Sequence, residues 1–187
     1  LGIARRAEKG IELRLHPTLI PAEELIANVN GVKNAVLVQA NAVGPTLYYG
    51  AGAGAGPTAS AVVADVIDIV RDISYTEDGA GTIPQLAFEA LTNVPILSRE
   101  EMTTGYYIRL NAEDQTGVLA DVTSILSRSG ISIDAIMQQS RLKDLIPIVI
   151  LTDPIVESKM DEALAQIQAL PAIRGEIVRI RLESLDS

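Results

Sequence analysis

The chain has 187 residues, no cysteine and a formal net charge of −9. This length allows one or two domains, and the lack of cysteine excludes a disulfide framework, a thiol nucleophile and a zinc–thiolate site. The acidic balance, without a basic stripe interleaved with aromatic residues, argues against a nucleic-acid partner. Residues 34–64 carry no charge. However, Gln39, Asn41 and Pro45 would leave polar groups unpaired in lipid, so we expect no membrane span and a cytoplasmic location.

The first part of the chain predicts strand pairs followed by a helix. Apolar residues alternate on both sides of a tight turn at Glu8–Gly10, and the pattern begins at Leu1 without a lead-in, which is typical of the tail of a longer chain. We expect a short helix within residues 22–29, a buried strand at 34–40 and its continuation at 44–50. A helix from Thr58 follows, whose apolar face comprises Ala59, Val62, Val63, Val66, Ile67 and Val70.

A glycine-rich stretch, YYGAGAGAGPTAS, lies directly ahead of this helix. Its glycines Gly50, Gly52 and Gly54 alternate with alanines, so a backbone or ligand could approach without meeting a Cβ atom. The stretch is not the G-x-G-x-x-G pattern that follows the first strand of a dinucleotide-binding unit. The spacing alone therefore indicates a close-packed turn.

Residues 73–104 are punctuated by Gly79, Gly81, Pro84 and Pro95, and predict a linker with one short helix within residues 84–91. The apolar residues Leu86, Phe88 and Leu91 favour a linker that packs.

The last part, residues 105–187, predicts the order strand, helix, strand, strand, helix, strand. The first helix has Val118, Val122, Ile125 and Leu126 inward and ends at Gly130, while Asp153-Pro154 is expected to open the second helix. Doubled βαβ units of this kind give an antiparallel sheet with both helices on one face. The fold class is therefore α+β, with a partial α/β region followed by a ferredoxin-like βαββαβ domain.

That order, carrying NAEDQTGVLADVTSILSRSGISID, resembles the ACT domain, a regulatory module of amino-acid metabolism. The resemblance implies that an amino-acid effector contacts Asp114, Gly117, Val118 and Leu119, and, across a subunit pair, Ser132 and Ile133 of the partner subunit. Family members often have asparagine at the positions of Asp114 and Ser132. An aspartate at this turn would pair best with an ammonium group, and a glycine before the helix exposes its first N–H groups to a carboxylate.

The stretch from GIELRLHPTLIP to GAGAGAGPTASAVVADVIDIVRD resembles the end of the catalytic region of homoserine dehydrogenase, and an ACT domain after it matches the long bacterial form. The resemblance divides the chain into the catalytic-region end at 1–72, the packed linker at 73–104 and the ACT domain at 105–187. It implies NAD(P)-dependent interconversion of L-homoserine and L-aspartate 4-semialdehyde, in threonine and methionine biosynthesis, by a homo-oligomer joined through both regions. Gly50, Gly52 and Gly54 would then lie beside the cofactor, with Gly54 in direct contact.

Other parts of this family's site are absent from the 187 residues: the cofactor-binding domain, the catalytic lysine and the metal-binding loop. Lys9 and Lys33 are interpreted as solvated turn residues and His16 as structural, so we assign no catalytic residue and no metal ligand. The resemblance implies feedback inhibition by threonine or another amino acid, passed through the linker. NAD and NADP both remain open. The alternative is a non-catalytic module for amino-acid binding and dimerisation.

Overall fold

The computed structural model describes residues 1–75, 92–138 and 145–185. They form two compact units, one of Leu1–Pro21 with Val94–Ser187 and one of Ala22–Asn93. We call the first the ACT unit. These contact-based units follow different boundaries from the family regions predicted at 1–72, 73–104 and 105–187, which stay predictions. The helix predicted within residues 84–91 lies outside the described residues.

The unit of Ala22–Asn93 contains one strand pair and one long helix. Strand β4 (Lys33–Ala40) pairs antiparallel with β5 (Gly44–Ala51), and helix α1 spans Ala55–Tyr75. The helix begins three residues earlier than the predicted Thr58. Pro57 falls in its first turn, where a missing N–H costs no hydrogen bond.

The short helix predicted within residues 22–29 is only a 3₁₀ turn at Leu25–Asn28. The side-chain amide of Asn28 donates to the carbonyl oxygens of Ala22 at 3.0 Å and Glu24 at 2.9 Å. Side-chain bonds of this kind compete with the helical backbone ladder, which accounts for the difference.

The apolar surfaces of this unit are exposed in the chain. Val36 and Val38 on β4 are 60% and 43% exposed, so the prediction of a buried strand is wrong for this chain. The apolar face predicted on α1 is likewise exposed at Val62, Val63, Val66, Ile67 and Val70. No helix within the described ranges is long and apolar enough to cross a membrane.

The ACT unit contains a five-stranded sheet with order β3-β9-β6-β8-β7. Its elements are β3 (Thr18–Leu19), β6 (Thr103–Glu113), α2 (Val118–Arg128), β7 (Ile133–Gln138), β8 (Leu145–Val156), α3 (Glu157–Gln168) and β9 (Ile173–Leu182). Strands β9, β6, β8 and β7 are antiparallel neighbours. The predicted ferredoxin-like βαββαβ arrangement is confirmed.

The core of the ACT unit lies between this sheet and the two helices. Helix α2 buries Val118, Val122, Ile125 and Leu126, the four residues its periodicity predicts. Helix α3 buries Met160, Ala163 and Ile167 against the same cluster. Apolar side chains of this size contribute roughly 1.5–3 kcal/mol each when fully buried, which gives this unit its own source of stability.

Strand β8 continues past the point where a helix is predicted. Asp153-Pro154 does not open α3, because β8 pairs with β6 as far as Val156 and the helix begins at Glu157. The register shifts between Thr104 and Tyr106 on β6, opposite Asp153-Pro154. At such an irregularity the strand tolerates a proline, which has no N–H to donate to its neighbour.

The predicted N-terminal hairpin is present as β1 (Gly2–Ala7) and β2 (Gly10–Leu15), joined by a two-residue turn. Its burial is the reverse of the usual pattern. Glu12 and Arg14 are buried, whereas Leu13 and Leu15 are 46% and 86% exposed. The hairpin therefore contacts the rest of the ACT unit through charged side chains.

Candidate functional site

The turn between β6 and α2 has the geometry of a helix-terminus site. Gly117 lies at the N-cap of α2 with φ 96° and ψ −20°, and no side chain caps the helix. A Cβ atom at Gly117 would meet nothing within 4 Å. The first N–H groups of a helix have no intrahelical acceptor, so the helix start faces open space with unsatisfied donors and a positive dipole end.

The acidic residues beside this turn differ in their exposure. Glu113 accepts a hydrogen bond from the Gln115 amide at 2.7 Å and forms an ion pair with Arg174. Asp114 is exposed at the turn. Asp121 in the first turn of α2 is also exposed, so two exposed carboxylates, those of Asp114 and Asp121, lie near the helix start.

The other predicted residues of this turn contribute in different ways. The Val118 side chain is 7% exposed and belongs to the core, and Leu119 packs against that core. A ligand at the turn would therefore meet the backbone of Val118, while its side chain stays in the core.

Ser132 and Ile133 lie at the start of β7 and line a groove of about 650 Å³ along one side of α2. The remaining lining residues are Ala120, Thr123, Ser124, Ser127, Gly130 and Ile131. Asp114, Gly117, Val118 and Leu119 do not line this groove. Within one chain, the two halves of the predicted effector site do not line the same groove.

The three glycines ahead of α1 have different surroundings. Gly54 has φ 120° and its carbonyl accepts the first α1 hydrogen bond, from the Thr58 N–H at 3.0 Å. A Cβ atom at Gly52 would lie 2.1 Å from Nδ2 of Asn34, whereas one at Gly50 would meet nothing within 4 Å. Gly52 thus leaves room for the Asn34 side chain, and only Gly50 of the three has an empty Cβ position, because a Cβ atom at Gly54 would lie 3.5 Å from Cδ of Pro57.

An ion cluster that no sequence pattern indicated lies at the start of α3. Glu157 is completely buried and accepts hydrogen bonds from the Tyr106 hydroxyl at 2.6 Å, Arg181 Nε at 2.9 Å and Arg99 Nε at 3.1 Å. Burial alone would raise the pKa of Glu157, but the hydrogen bonds from Arg181 and Tyr106 outweigh it and lower the pKa to about 2.

The same cluster affects Tyr106. Burial, then the hydrogen bond to Glu157, raises the pKa of Tyr106 above its usual range. The Arg179 guanidinium lies 5.6 Å from the centre of its ring. The alternation of Arg179 and Arg181 on β9 was the available sequence signal, but nothing in the pattern identified Glu157 as their acceptor. With its groups paired to each other, the cluster orders α3 and offers no reactive group.

His16 lies in the loop between β2 and β3, where its ring makes two polar contacts. Its Nδ1 is 3.1 Å from the Pro17 carbonyl oxygen and 3.0 Å from Oγ1 of Thr18. Burial, with the nearby charges of Arg181 and Arg14, lowers the pKa of His16 despite the contact with Pro17. Within the described ranges, no group of three or more histidine, aspartate and glutamate side chains could hold a metal ion.

Two family models match the chain. The model described as homoserine dehydrogenase matches residues 1–67, and the ACT domain model matches residues 106–170. A homoserine dehydrogenase of Pseudomonas aeruginosa is 51% identical over 100% of this chain and 43% of its own length. One of Neisseria gonorrhoeae is 48% identical over 99% of this chain and 43% of its length.

A crystal structure of a homoserine dehydrogenase from Thiobacillus denitrificans matches with a TM-score of 0.88 and 55% identity, over 98% of this chain and 42% of that one. The fold and these matches define the class: the end of a dehydrogenase region joined to an ACT domain. The chain belongs to the homoserine dehydrogenase family and corresponds to the C-terminal portion of its members, as the sequence predicts. It spans 43% of the length of the two curated relatives named above.

Proposed function

We propose that this chain is part of an enzyme that interconverts L-homoserine and L-aspartate 4-semialdehyde with NAD(P), under control by a small amino acid. The observation that carries the proposal is 51% identity to a homoserine dehydrogenase along the whole chain, across both compact units. The proposal includes a cytoplasmic location.

The glycine turn is the proposed contribution of this chain to the cofactor site. When bound, the nicotinamide supplies the hydride for reduction of the aldehyde. Gly50 and Gly54 fit a wall beside such a group, because a Cβ atom at Gly50 would meet nothing and Gly54 turns the backbone with φ 120°. Gly52 fits less directly, since Asn34 occupies the position of its absent Cβ atom.

Threonine is the proposed effector, bound between two ACT domains. Its carboxylate would face the α2 N-terminus at Gly117, its ammonium group would face Asp114, and its hydroxyl would face Ser132 of the partner subunit. The two halves do not line the same groove within one chain, which supports a site that needs two subunits. The open space at Gly117 supports access for the ligand.

Pairing of ACT domains is proposed through the β7 side of the sheet. Strand β7 is last in the strand order, whereas the opposite side is extended by β3. An edge strand leaves N–H and C=O groups for another strand to pair with, and a second copy satisfies them symmetrically.

The second candidate is a non-catalytic module for amino-acid binding and dimerisation. The buried core cluster, which lies entirely between Tyr106 and Ile173, favours it for the chain taken alone. The α1 face of the other unit is exposed. We expect the ACT unit to bind its effector without any catalytic activity from these 187 residues.

One comparison tests both candidates. The 187-residue chain and the full-length enzyme are assayed for homoserine oxidation with NAD and NADP, and both are titrated with threonine, isoleucine, valine, methionine and lysine by calorimetry. We expect turnover only in the full-length enzyme and threonine binding in both. Turnover by the short chain would contradict the assignment of no catalytic residue. No binding of any amino acid would leave the ACT domain a dimerisation module.

A further inference from the structure

The chain connects its two compact units twice, after Pro21 and again at Asn93–Val94. Residues 1–67 match the homoserine dehydrogenase family, yet residues 1–21 belong by their contacts to the ACT unit. The hairpin β1–β2 is therefore a piece of the dehydrogenase region that folds with the regulatory domain.

The outgoing connection is fixed to the end of β9. Strand β3 pairs in parallel with β9, and the Glu183 N–H donates to the Leu19 carbonyl at 3.0 Å. Arg14 of the hairpin binds Glu183 at 2.6 Å, and their side chains are only 2% and 5% exposed. A buried pair of this kind is costly to break, because removing one partner leaves the other charge buried and unpaired.

The returning connection is fixed to the same hairpin. The Ile11 N–H donates to the Pro95 carbonyl and the Leu97 N–H donates to the Ile11 carbonyl, both at 2.9 Å. Two residues later, Arg99 binds the buried Glu157 of α3. We call the contact of Gly10 and Ile11 with residues 95–97 the strand clamp.

Gly10 makes the strand clamp possible. A Cβ atom there would lie 2.2 Å from the Pro95 carbonyl oxygen and 3.0 Å from its carbonyl carbon. These are backbone atoms, so the clash could not be relieved by rotation of a side chain. At the other end of the hairpin, a Cβ atom at Gly2 would meet only Cδ1 of Leu15 at 3.7 Å, an ordinary contact.

We propose that the strand clamp couples the ACT domain to the dehydrogenase region. With the clamp closed, β9, the hairpin and residues 95–97 move as one body when an effector shifts the ACT sheet. When the strand clamp is open, residues 95–97 are no longer attached to β2 and transmit less of the movement of the ACT sheet. This inference rests on the proposed function and replaces the linker alone as the route of coupling.

The test uses Gly10→Ala in the full-length enzyme, with Gly2→Ala as the matched control. Faster hydrogen exchange at the Ile11 and Leu97 amides would show that the clamp is open. We expect unchanged basal turnover in both variants. The threonine effect, typically about 5- to 150-fold for such coupling, should fall towards no effect only in Gly10→Ala.

Should Gly10→Ala not fold, Leu97→Pro removes one clamp hydrogen bond without adding bulk at Pro95.

Full inhibition in Gly10→Ala with rapid exchange at Leu97, or in Leu97→Pro with rapid exchange at Ile11, would overturn the inference. If no amino acid inhibits the wild-type enzyme, the proposed control by an amino acid fails, and the clamp is tested by Val122→Ala, which loosens the ACT core. We expect that substitution to change the KM for homoserine in the wild-type background and not in the Gly10→Ala background. An equal effect in both backgrounds, including none, contradicts the coupling.

Discussion

The hydroxyl of Tyr106 donates a 2.6 Å hydrogen bond to Oε2 of Glu157, and both side chains are completely buried. Tyr106 lies on the central strand β6, and Glu157 is the first residue of α3. Arg181 and Arg99 donate to the same carboxylate from β9 and from the segment before β6. One buried charge therefore joins the sheet, a helix and the chain that returns from the other unit.

Glu157 should make the stability of the ACT unit sensitive to acid. Its pKa is lowered from 4.5 to about 2 in the folded state, so the unfolded chain binds more protons between these pH values. The stabilisation is complete above about pH 4.5 and is lost as the pH falls towards 2, with a size on the order of 3 kcal/mol. Urea unfolding across this range measures it.

Glu157→Gln is the variant for this prediction, and Glu162→Gln on the exposed side of α3 is its control. We expect Glu157→Gln to cost about 3–5 kcal/mol at neutral pH, because Arg181 loses a buried partner. We also expect the free energy of unfolding of that variant to depend less on pH below 4.5. If Glu157→Gln loses stability at acidic pH as the wild type does, then Glu157 is not the cause of that loss.

Gly117→Ala should weaken effector binding more than it weakens folding. The substitution forces an L-residue into φ 96° and places a methyl group over the α2 start. Gly175→Ala is the matched control, since Gly175 also has positive φ and an empty Cβ position but lies on β9. Backbone strain should lower the stability of both variants by roughly 1–3 kcal/mol. Calorimetry with threonine then shows which variant also binds the effector more weakly. If the two variants bind threonine with equal affinity, the start of α2 is not part of the effector site.

Gly54→Val in the full-length enzyme should reduce turnover far more than thermal stability. A side chain at this turn would shift the backbone proposed to face the cofactor, and misplacement by about 1 Å can cost on the order of 100-fold in rate. Gly31→Val provides the control for strain, because Gly31 has φ 65° and an empty Cβ position in the same unit. If both variants lose kcat equally, the glycine turn is a packing feature.

Met137→Lys should prevent ACT pairing. Met137 lies on β7 and is 51% exposed, and a lysine on an edge strand disfavours its pairing with another sheet. Ala165→Lys on the exposed side of α3 adds the same charge away from β7. Sedimentation at micromolar concentration should give a dimer for the wild type and the control, and a monomer for Met137→Lys. A dimeric Met137→Lys protein would exclude this edge as the interface.

Local patterns predicted the elements whose partners lie close in sequence or follow a simple period. The buried side of α2 follows from the spacing of Val118, Val122, Ile125 and Leu126. Glycine at position 117 and the strand order led to the βαββαβ domain. These features depend on local backbone preferences and on the apolar side of a single helix, both of which can be identified from residue spacing.

The features that the sequence did not predict depend on distant partners. Arg14 is buried because Glu183 reaches it from the end of β9, and this contact reverses the burial of the hairpin. Pro154 continues β8 because the register shift on β6 accommodates it. Glu157 and Tyr106 meet across 51 residues of sequence. Such pairs leave no periodic signal in a single chain.

The parallel pairing of β3 with β9 has a consequence for exchanging ACT domains between related proteins. A chimaera joined at residue 105 would carry β9 without β3 and Glu183 without Arg14, and it would need a host hairpin of matching shape and charge. Moving residues 1–21 together with the ACT domain would keep these contacts in one parent. The ACT unit thus consists of two pieces of chain, and the first piece lies within the residues that match the homoserine dehydrogenase model.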